Sequence, residues 1–219
     1  MRNLLVFIGL ALLLNSCNSE SDSKKNEEVN KKYKIESGII QYRLDMMGVQ
    51  SNLTVYFKEY GNVEASTTEA EILGEKTAIV TLQKDNYYYT YTPAKKSGTK
   101  IKMEEGQITD ESGARKMTET DIINLGGKKT GSEMVLGKEC NIYSLTDNGT
   151  ETKVWVWNNM FLKSIASFNG MEMKMEVLEI RETKDFPAGI FDVPLDVKFI
   201  EPQIEPDSIP DFENPEAEG

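Results

Sequence analysis

The sequence predicts a mainly β protein built as a curved antiparallel sheet with one or two short helices. Three observations lead there. The dominant hydrophobic period is two, which puts apolar and polar side chains on opposite faces of extended strands. Turn signals at Asn148-Gly149, Asn158-Asn159 and Asn169-Gly170 separate successive strands by far fewer residues than a parallel crossover needs. The alternation also slips at Val177-Leu178, as it does where a β-bulge inserts one residue and bends the strand. Curved meanders of this kind close into barrels or wrap round a helix.

In chain order, Ile40, Tyr42, Leu44 and Met46 alternate with Gln41, Arg43 and Asp45 in a first strand with one buried face. Leu53, Val55 and Phe57 continue the pattern across Gly48-Val49-Gln50, making a hairpin. "TAIVTLQ" and "YYYTYT", joined at "KDN", make a second, with Tyr87, Tyr89 and Tyr91 on one face and Tyr88 on the other; Pro93 ends it. "MTETDIINLGG" is the helical candidate, with Thr118 or Thr120 as N-cap and Gly126 or Gly127 as the stop. It is short enough to lie across a face or mouth of the sheet. "CNIYSLT" and "TKVWVWN" form a third hairpin at Asn148-Gly149, followed by "MFLKSIASF" and "GMEMKMEVLEI" as further strands. "PAGIFDVP" reads as a one-turn helical corner before a last short strand in "LDVKFI".

Composition narrows the chemistry. The chain has 219 residues, 39% of them hydrophobic, which suits one globular domain of ordinary size. A formal net charge of −11 repels nucleic-acid phosphates and anionic lipid headgroups, so nucleic acid is not an expected partner. The absence of histidine removes the commonest general base near neutral pH and the commonest transition-metal ligand. No Gly-x-Ser-x-Gly elbow, Cys-x-x-Cys, dinucleotide fingerprint or P-loop is present. The carboxylate pairs Glu104-Glu105, Asp110-Glu111 and Glu172/Glu176 read as a solvated acidic face. We therefore expect a non-enzymatic protein with no catalytic residues, metal or cofactor.

The first residues, "MRNLLVFIGLALLLNSC", join a positive Arg2 to an apolar run too short to span a bilayer but right for the core of a signal peptide. Leu14-Asn15-Ser16-Cys17 resembles the lipobox of bacterial lipoproteins, which implies acylation of Cys17 and attachment to the membrane through its lipid. Asn15 departs from the small residues usual at that position. The expected organisation is a signal peptide over 1–16, a lipidated cysteine and polar tether over 17–32, an antiparallel half-barrel domain over 33–200 and an acidic, proline-rich disordered tail over 201–219. With Cys17 committed to lipid, Cys140 has no disulfide partner and reads as a small core residue.

The methionines pose the functional question. Met171, Met173 and Met175 project to one face of their strand while Glu172, Lys174 and Glu176 project to the other. Thioethers bind copper(I), yet three on one strand point too nearly parallel to converge on an ion, and no histidine supports them. Methionine is also an adaptable filler of cores and of surfaces that accept varied apolar ligands, so core and cavity floor stay open as alternatives.

The stretch from "GKECNIYSL" through "VWVWNNMFLKSIASFNGMEMKMEVLEI" to "FPAGIFDVPLDV" resembles the LolA/LolB-like group of lipoprotein carriers in its "vWv" strand, in Leu162-Lys163 opening the next and in the Phe191-Asp192-Val193-Pro194 corner. The resemblance implies an unclosed β-barrel, a sheet partly closed around a helical plug, with an apolar interior that takes lipid acyl chains or a lipidated partner. Tyr89, Trp155, Trp157, Phe168, Met171, Met173 and Met175 are the interior candidates. The expected function is that of an envelope lipoprotein, at the periplasmic or surface side of the outer membrane, binding a hydrophobic ligand. The alternative is a structural or interaction module with a filled core that binds another envelope protein.

Overall fold

A computed structural model describes residues 31–72, 74–103, 118–147 and 149–202. The signal segment, Cys17, the tether up to residue 30, the tail from residue 203, Asn148 and the Glu104-Glu105 and Asp110-Glu111 pairs lie outside the described residues. The described residues all belong to one compact unit that begins at Lys31.

Among the described residues twelve strands make one sheet: β1 (Gly38–Met46), β2 (Val49–Lys58), β3 (Val63–Ile72), β4 (Glu75–Lys84), β5 (Tyr87–Thr92), β6 (Ser97–Lys102), β7 (Lys128–Val135), β8 (Lys138–Asp147), β9 (Thr150–Trp157), β10 (Met160–Phe168), β11 (Met171–Glu182) and β12 (Lys198–Ile200). Their order is β12-β6-β5-β4-β3-β2-β1-β11-β10-β9-β8-β7, so the sheet is open, with β12 and β7 at its edges. Two antiparallel meanders, β1 to β6 and β7 to β11, are joined by the long-range antiparallel pair β1–β11. The expected mainly β, unclosed and curved sheet is the observed one.

Tight two-residue turns set the strand twist. Met47-Gly48, Asp85-Asn86, Leu136-Gly137, Asn158-Asn159 and Asn169-Gly170 all have both residues at positive φ, the backbone that matches the right-handed twist of the flanking strands. The first turn is thus shorter than expected: Val49 and Gln50 already belong to β2. Bulges add coil. Gln41 faces Glu179 and Tyr42 faces Val177, leaving Leu178 as the extra residue, where the hydrophobic alternation slips. A second register shift falls between Phe161 and Lys163 against β9.

The helix α1 (Glu119–Asn124) starts at Thr118, whose hydroxyl accepts from the Asp121 backbone N–H while the Asp121 carboxylate accepts from the Thr118 N–H, a reciprocal cap. Gly126, at φ +85, ends it. Ile122 is fully buried against Tyr143, Val154 and Val156, fixing the helix on a face of the sheet. The larger core joins both meanders: Ile40, Tyr42, Val55 and Phe57 from the first meet Trp155, Met160, Leu162 and Val177 from the second.

Two expectations are corrected. The corner "PAGIFDVP" is a pair of turns, closed by Ile190 N–H to Pro187 O (3.2 Å) and Asp192 N–H to Gly189 O (2.9 Å), because Gly189 at φ +77 cannot continue a helix. The last strand departs from the antiparallel meander and pairs with β6 in parallel, since residues 183–197 carry the chain from β11 to the far edge before it pairs. That segment is fastened by Phe186 stacked edge-on with Phe191 (5.1 Å), by the Lys84 ammonium donating to the Phe191 carbonyl (3.3 Å) and by the Lys96–Asp196 pair (3.0 Å).

Candidate ligand-binding face

The alternation of β1 and its neighbours sorts side chains onto two faces. On one, Ile40, Tyr42, Leu44 and Met46 stand opposite Ile180, Val177, Met175 and Met173 of β11, and opposite Val55, Leu53, Ser51 and Val49 of β2. The methionine strand therefore lies on the same face as the core, and its members differ in depth. Met171 is 42% exposed, Met173 38%, Met175 is half-buried and Val177 only 3% exposed, so the ladder descends from solvent into the core. At its open end Met171 faces Phe168 and Met173 faces Ala166 across β10, while Met46, 52% exposed, faces both Met173 and Val49. Five exposed apolar side chains from four strands, Met46, Val49, Phe168, Met171 and Met173, thus meet at one end of the sheet. Exposed apolar side chains are common singly; gathered at one end of a sheet, they form a candidate binding surface.

The reverse side of the same strands is charged. Glu172 and Lys174 pair at 2.6 Å, and this hydrogen bond, with the nearby carboxylates of Glu172 and Asp45, holds the Lys174 ammonium above its ordinary range. Arg43 faces Glu176 across β1 and β11.

Of the residues singled out from sequence, Phe168, Met171, Met173 and Met175 come together. Trp155 is buried in the core, its indole N–H donating to Glu133 (2.7 Å) and its ring flanked by the Lys163 and Lys153 ammoniums at 4.6 and 4.9 Å. Trp157 is half-buried opposite Met160, with the Lys138 ammonium 4.5 Å from its ring. Tyr89 lies on the opposite face: the cross-strand row Ile39, Tyr56, Ala65, Leu82, Tyr89 runs on the other side from Ile40 and Tyr42. There it meets Phe199 edge-on at 5.2 Å. Met46 and Val49 complete the patch, and the signal for them was the apolar alternation running up to the turn on both strands of the first hairpin.

Other chemistry is sparse. Cys140 is a buried free thiol whose pKa is pushed up by burial, the state of an inert core cysteine. Among the described residues no group of histidine, cysteine or carboxylate side chains could hold a metal ion. A shallow cleft of about 370 Å³ lies on the opposite face between Ile39, Tyr56, Arg181 and Phe186, and includes none of the patch residues. No helix among the described residues is long and apolar enough to cross a membrane.

Residues 37–168 match the family described as "Domain of unknown function (DUF4412)". No protein of curated function matches the chain. Among solved structures, the fold is similar to an uncharacterized conserved protein from Thermus thermophilus, with TM-score 0.53 at 10% identity, covering 84% of this chain and 100% of that one. It is similar to a chain of the MucA/MucB complex of Pseudomonas aeruginosa, with TM-score 0.51 at 10% identity, covering 83% of this chain and 64% of that chain. A weaker likeness, TM-score 0.36 at 13% identity over 80% of this chain and 97% of the other, is to a putative outer membrane lipoprotein-sorting protein domain from Vibrio parahaemolyticus.

Proposed function

This chain belongs to the DUF4412 family, and on that footing we propose that it is a non-enzymatic protein of the bacterial envelope that binds the apolar part of a lipid or similar hydrophobic ligand. The observation that carries the reading is the open methionine end of the core-bearing face, where Met46, Phe168, Met171 and Met173 leave the core and stay exposed. Unbranched thioether side chains adapt to ligands of varied shape, and burial of such a surface stabilises a complex by about 25 cal/mol per Å² before the costs of association. The envelope setting rests on the signal-like first residues and on Leu14-Asn15-Ser16-Cys17, which would anchor the chain by lipid on Cys17. The absence of histidine from the chain favours a binder over an enzyme.

The test uses residues 18–219, which contain the whole compact unit, made without lipid, and an uncharged solvatochromic dye, Nile red. We expect saturable binding with blue-shifted emission that Met46→Glu and Met173→Glu abolish. Both sites are exposed, so these variants should fold. No uptake by the parent chain, or uptake unchanged in both variants, refutes the reading. A second reading, docking of an envelope protein partner, is favoured by the fold shared with a chain of the MucA/MucB complex. It predicts instead a dye-silent face whose Met173→Glu variant loses a protein partner.

A further inference from the structure

The face that carries the methionine patch extends well beyond it, and its chemistry changes across the sheet. Following the cross-strand pairs, one row runs Met175, Leu44, Ser51, Ala70, Thr77 from β11 to β4. The next runs Val177, Tyr42, Leu53, Thr68, Ile79. A third continues from Ile40 and Val55 into Ser66, Thr81, Thr90 and Thr99 on β3 to β6. On this one face Ile40, Tyr42, Val55 and Val177 are buried in the core, while the half-buried Leu44, Ser51, Leu53 and Ala70 lead from the methionine end to the half-buried hydroxyls of Thr68, Ser66, Thr81, Thr90 and Thr99. Ser66 and Thr81 bond to each other at 2.7 Å. The hydroxyls of Thr68, Thr90 and Thr99 have no hydrogen-bond partner among the described residues and are available to a ligand.

Charge is sorted as sharply. In a chain with 25 basic and 36 acidic residues, none of the positions in these rows is charged. Every lysine and arginine of β1 to β6 and β11, from Arg43 and Lys58 through Lys76 and Lys100 to Lys174 and Arg181, alternates onto the opposite face. The charges that do share the face are carboxylates at its margins: Glu75 and Glu182 at the strand ends, and Glu64, which is held by Lys32 at 2.6 Å and by the Tyr33 hydroxyl at 2.9 Å. An anionic head group brought here would lose hydration and meet no free cation among the described residues of this face, since Lys32 is already held by Glu64, and the marginal carboxylates would repel it. Neighbouring strands are about 4.8 Å apart, so β11 to β4 spans about 19 Å, comparable to one acyl leaflet, about half of a bilayer's 30 Å hydrocarbon core.

Resting on the reading of the patch as an apolar site, we infer that the ligand is an uncharged amphiphile, its chain on the methionine end and a hydroxyl-bearing neutral head along the Ser66–Thr81–Thr90–Thr99 row. The test is displacement of bound Nile red from residues 18–219 by twelve-carbon amphiphiles differing only in head group, each below its micelle concentration. The set is dodecyl maltoside, dodecanoate, dodecylphosphocholine and dodecyltrimethylammonium. Dodecyl maltoside should displace the dye at concentrations at least about tenfold below the others, the ratio expected when one charged or dipolar head is left unpaired. Thr90→Val and Thr99→Val keep strand propensity and volume, and should erase that preference while leaving Nile red binding unchanged. Equal or better displacement by any charged or dipolar amphiphile, or a preference that survives both valine variants, overturns the inference while leaving the apolar site intact. Failure of Nile red to bind refutes the site and the inference together.

Discussion

Replacing Tyr33 by phenylalanine should destabilise the protein at neutral pH and lose most of that effect in alkali. Tyr33 is buried, donates its hydroxyl to Glu64 at 2.9 Å and packs edge-on against Phe57 with centroids 4.7 Å apart. Phenylalanine keeps the ring contact and deletes only the hydrogen bond, which to a carboxylate contributes about 1.5–3 kcal/mol. Burial first, and then the Glu64 charge and hydrogen bond, hold the Tyr33 phenol well above its ordinary pKa of 10.0. The folded chain thus keeps this proton where the unfolded chain has released it, so the tyrosine's contribution is complete below pH 10 and falls as the pH rises beyond it. From an unfolded pKa near 10, the loss by pH 11 is about 1.4 kcal/mol. Other titrating groups are common to both proteins and cancel in the difference. Urea unfolding of parent and variant at pH 8, 9, 10 and 11 should show the gap shrinking by roughly that amount, all of it above pH 9. A gap that stays constant to pH 11 would show that Tyr33 is not a buried neutral donor to Glu64.

Three further outcomes are expected. Thr118→Ala removes the reciprocal cap with Asp121 and should lower stability by about 1 kcal/mol in denaturant titration, whereas Thr118→Ser should cost little. Gly98→Ala would drive a methyl into the Thr90 carbonyl and to 2.5 Å from the Tyr91 Cβ. It should cost about 1–3 kcal/mol and, because β12 pairs on the other side of β6, speed proteolysis within residues 183–202; unchanged cleavage would mean the C-terminal segment is held independently of β6. Cys17→Ser should move the protein from the membrane to the soluble fraction, and retention in the membrane would refute the lipid anchor.

Much of the fold could be read from the chain because one face of most strands is apolar. The hairpins around Asp85-Asn86 and Asn158-Asn159, the capped helix and the bulge at Leu178 all left a local mark. The strands β3, β6 and β7, absent from the hydrophobic pattern, are "VEASTTEAEI", "SGTKIK" and "KKTGSEMV", whose alternation is between small, hydroxyl and charged residues. They are recruited by neighbours rather than by hydrophobic burial of their own, so period-two hydrophobicity cannot reveal them. The site was legible in part for the same reason. Phe168 and the three methionines share a local hairpin, but the contribution of Met46 depends on pairing between β1 and β11, which local pattern does not encode. Tyr89 looked equivalent to the other aromatics because alternation shows that two faces exist, and not which one of a distant strand matches the core face.

That same pairing has a kinetic consequence. Each meander consists of neighbours in sequence, whose hairpins close in microseconds, whereas Gly38 must find Glu182, and Met46 must find Met173, across nearly the whole domain. We therefore expect joining of the two meanders to limit the folding rate. Trimming Ile40 or Val177 should slow refolding in proportion to the stability lost, while changes inside the β8–β9 hairpin should mainly accelerate unfolding. Since the methionine end exists only once this seam has formed, an unfinished chain offers a ligand no place to bind, and the ligand acts only on the folded side of the equilibrium.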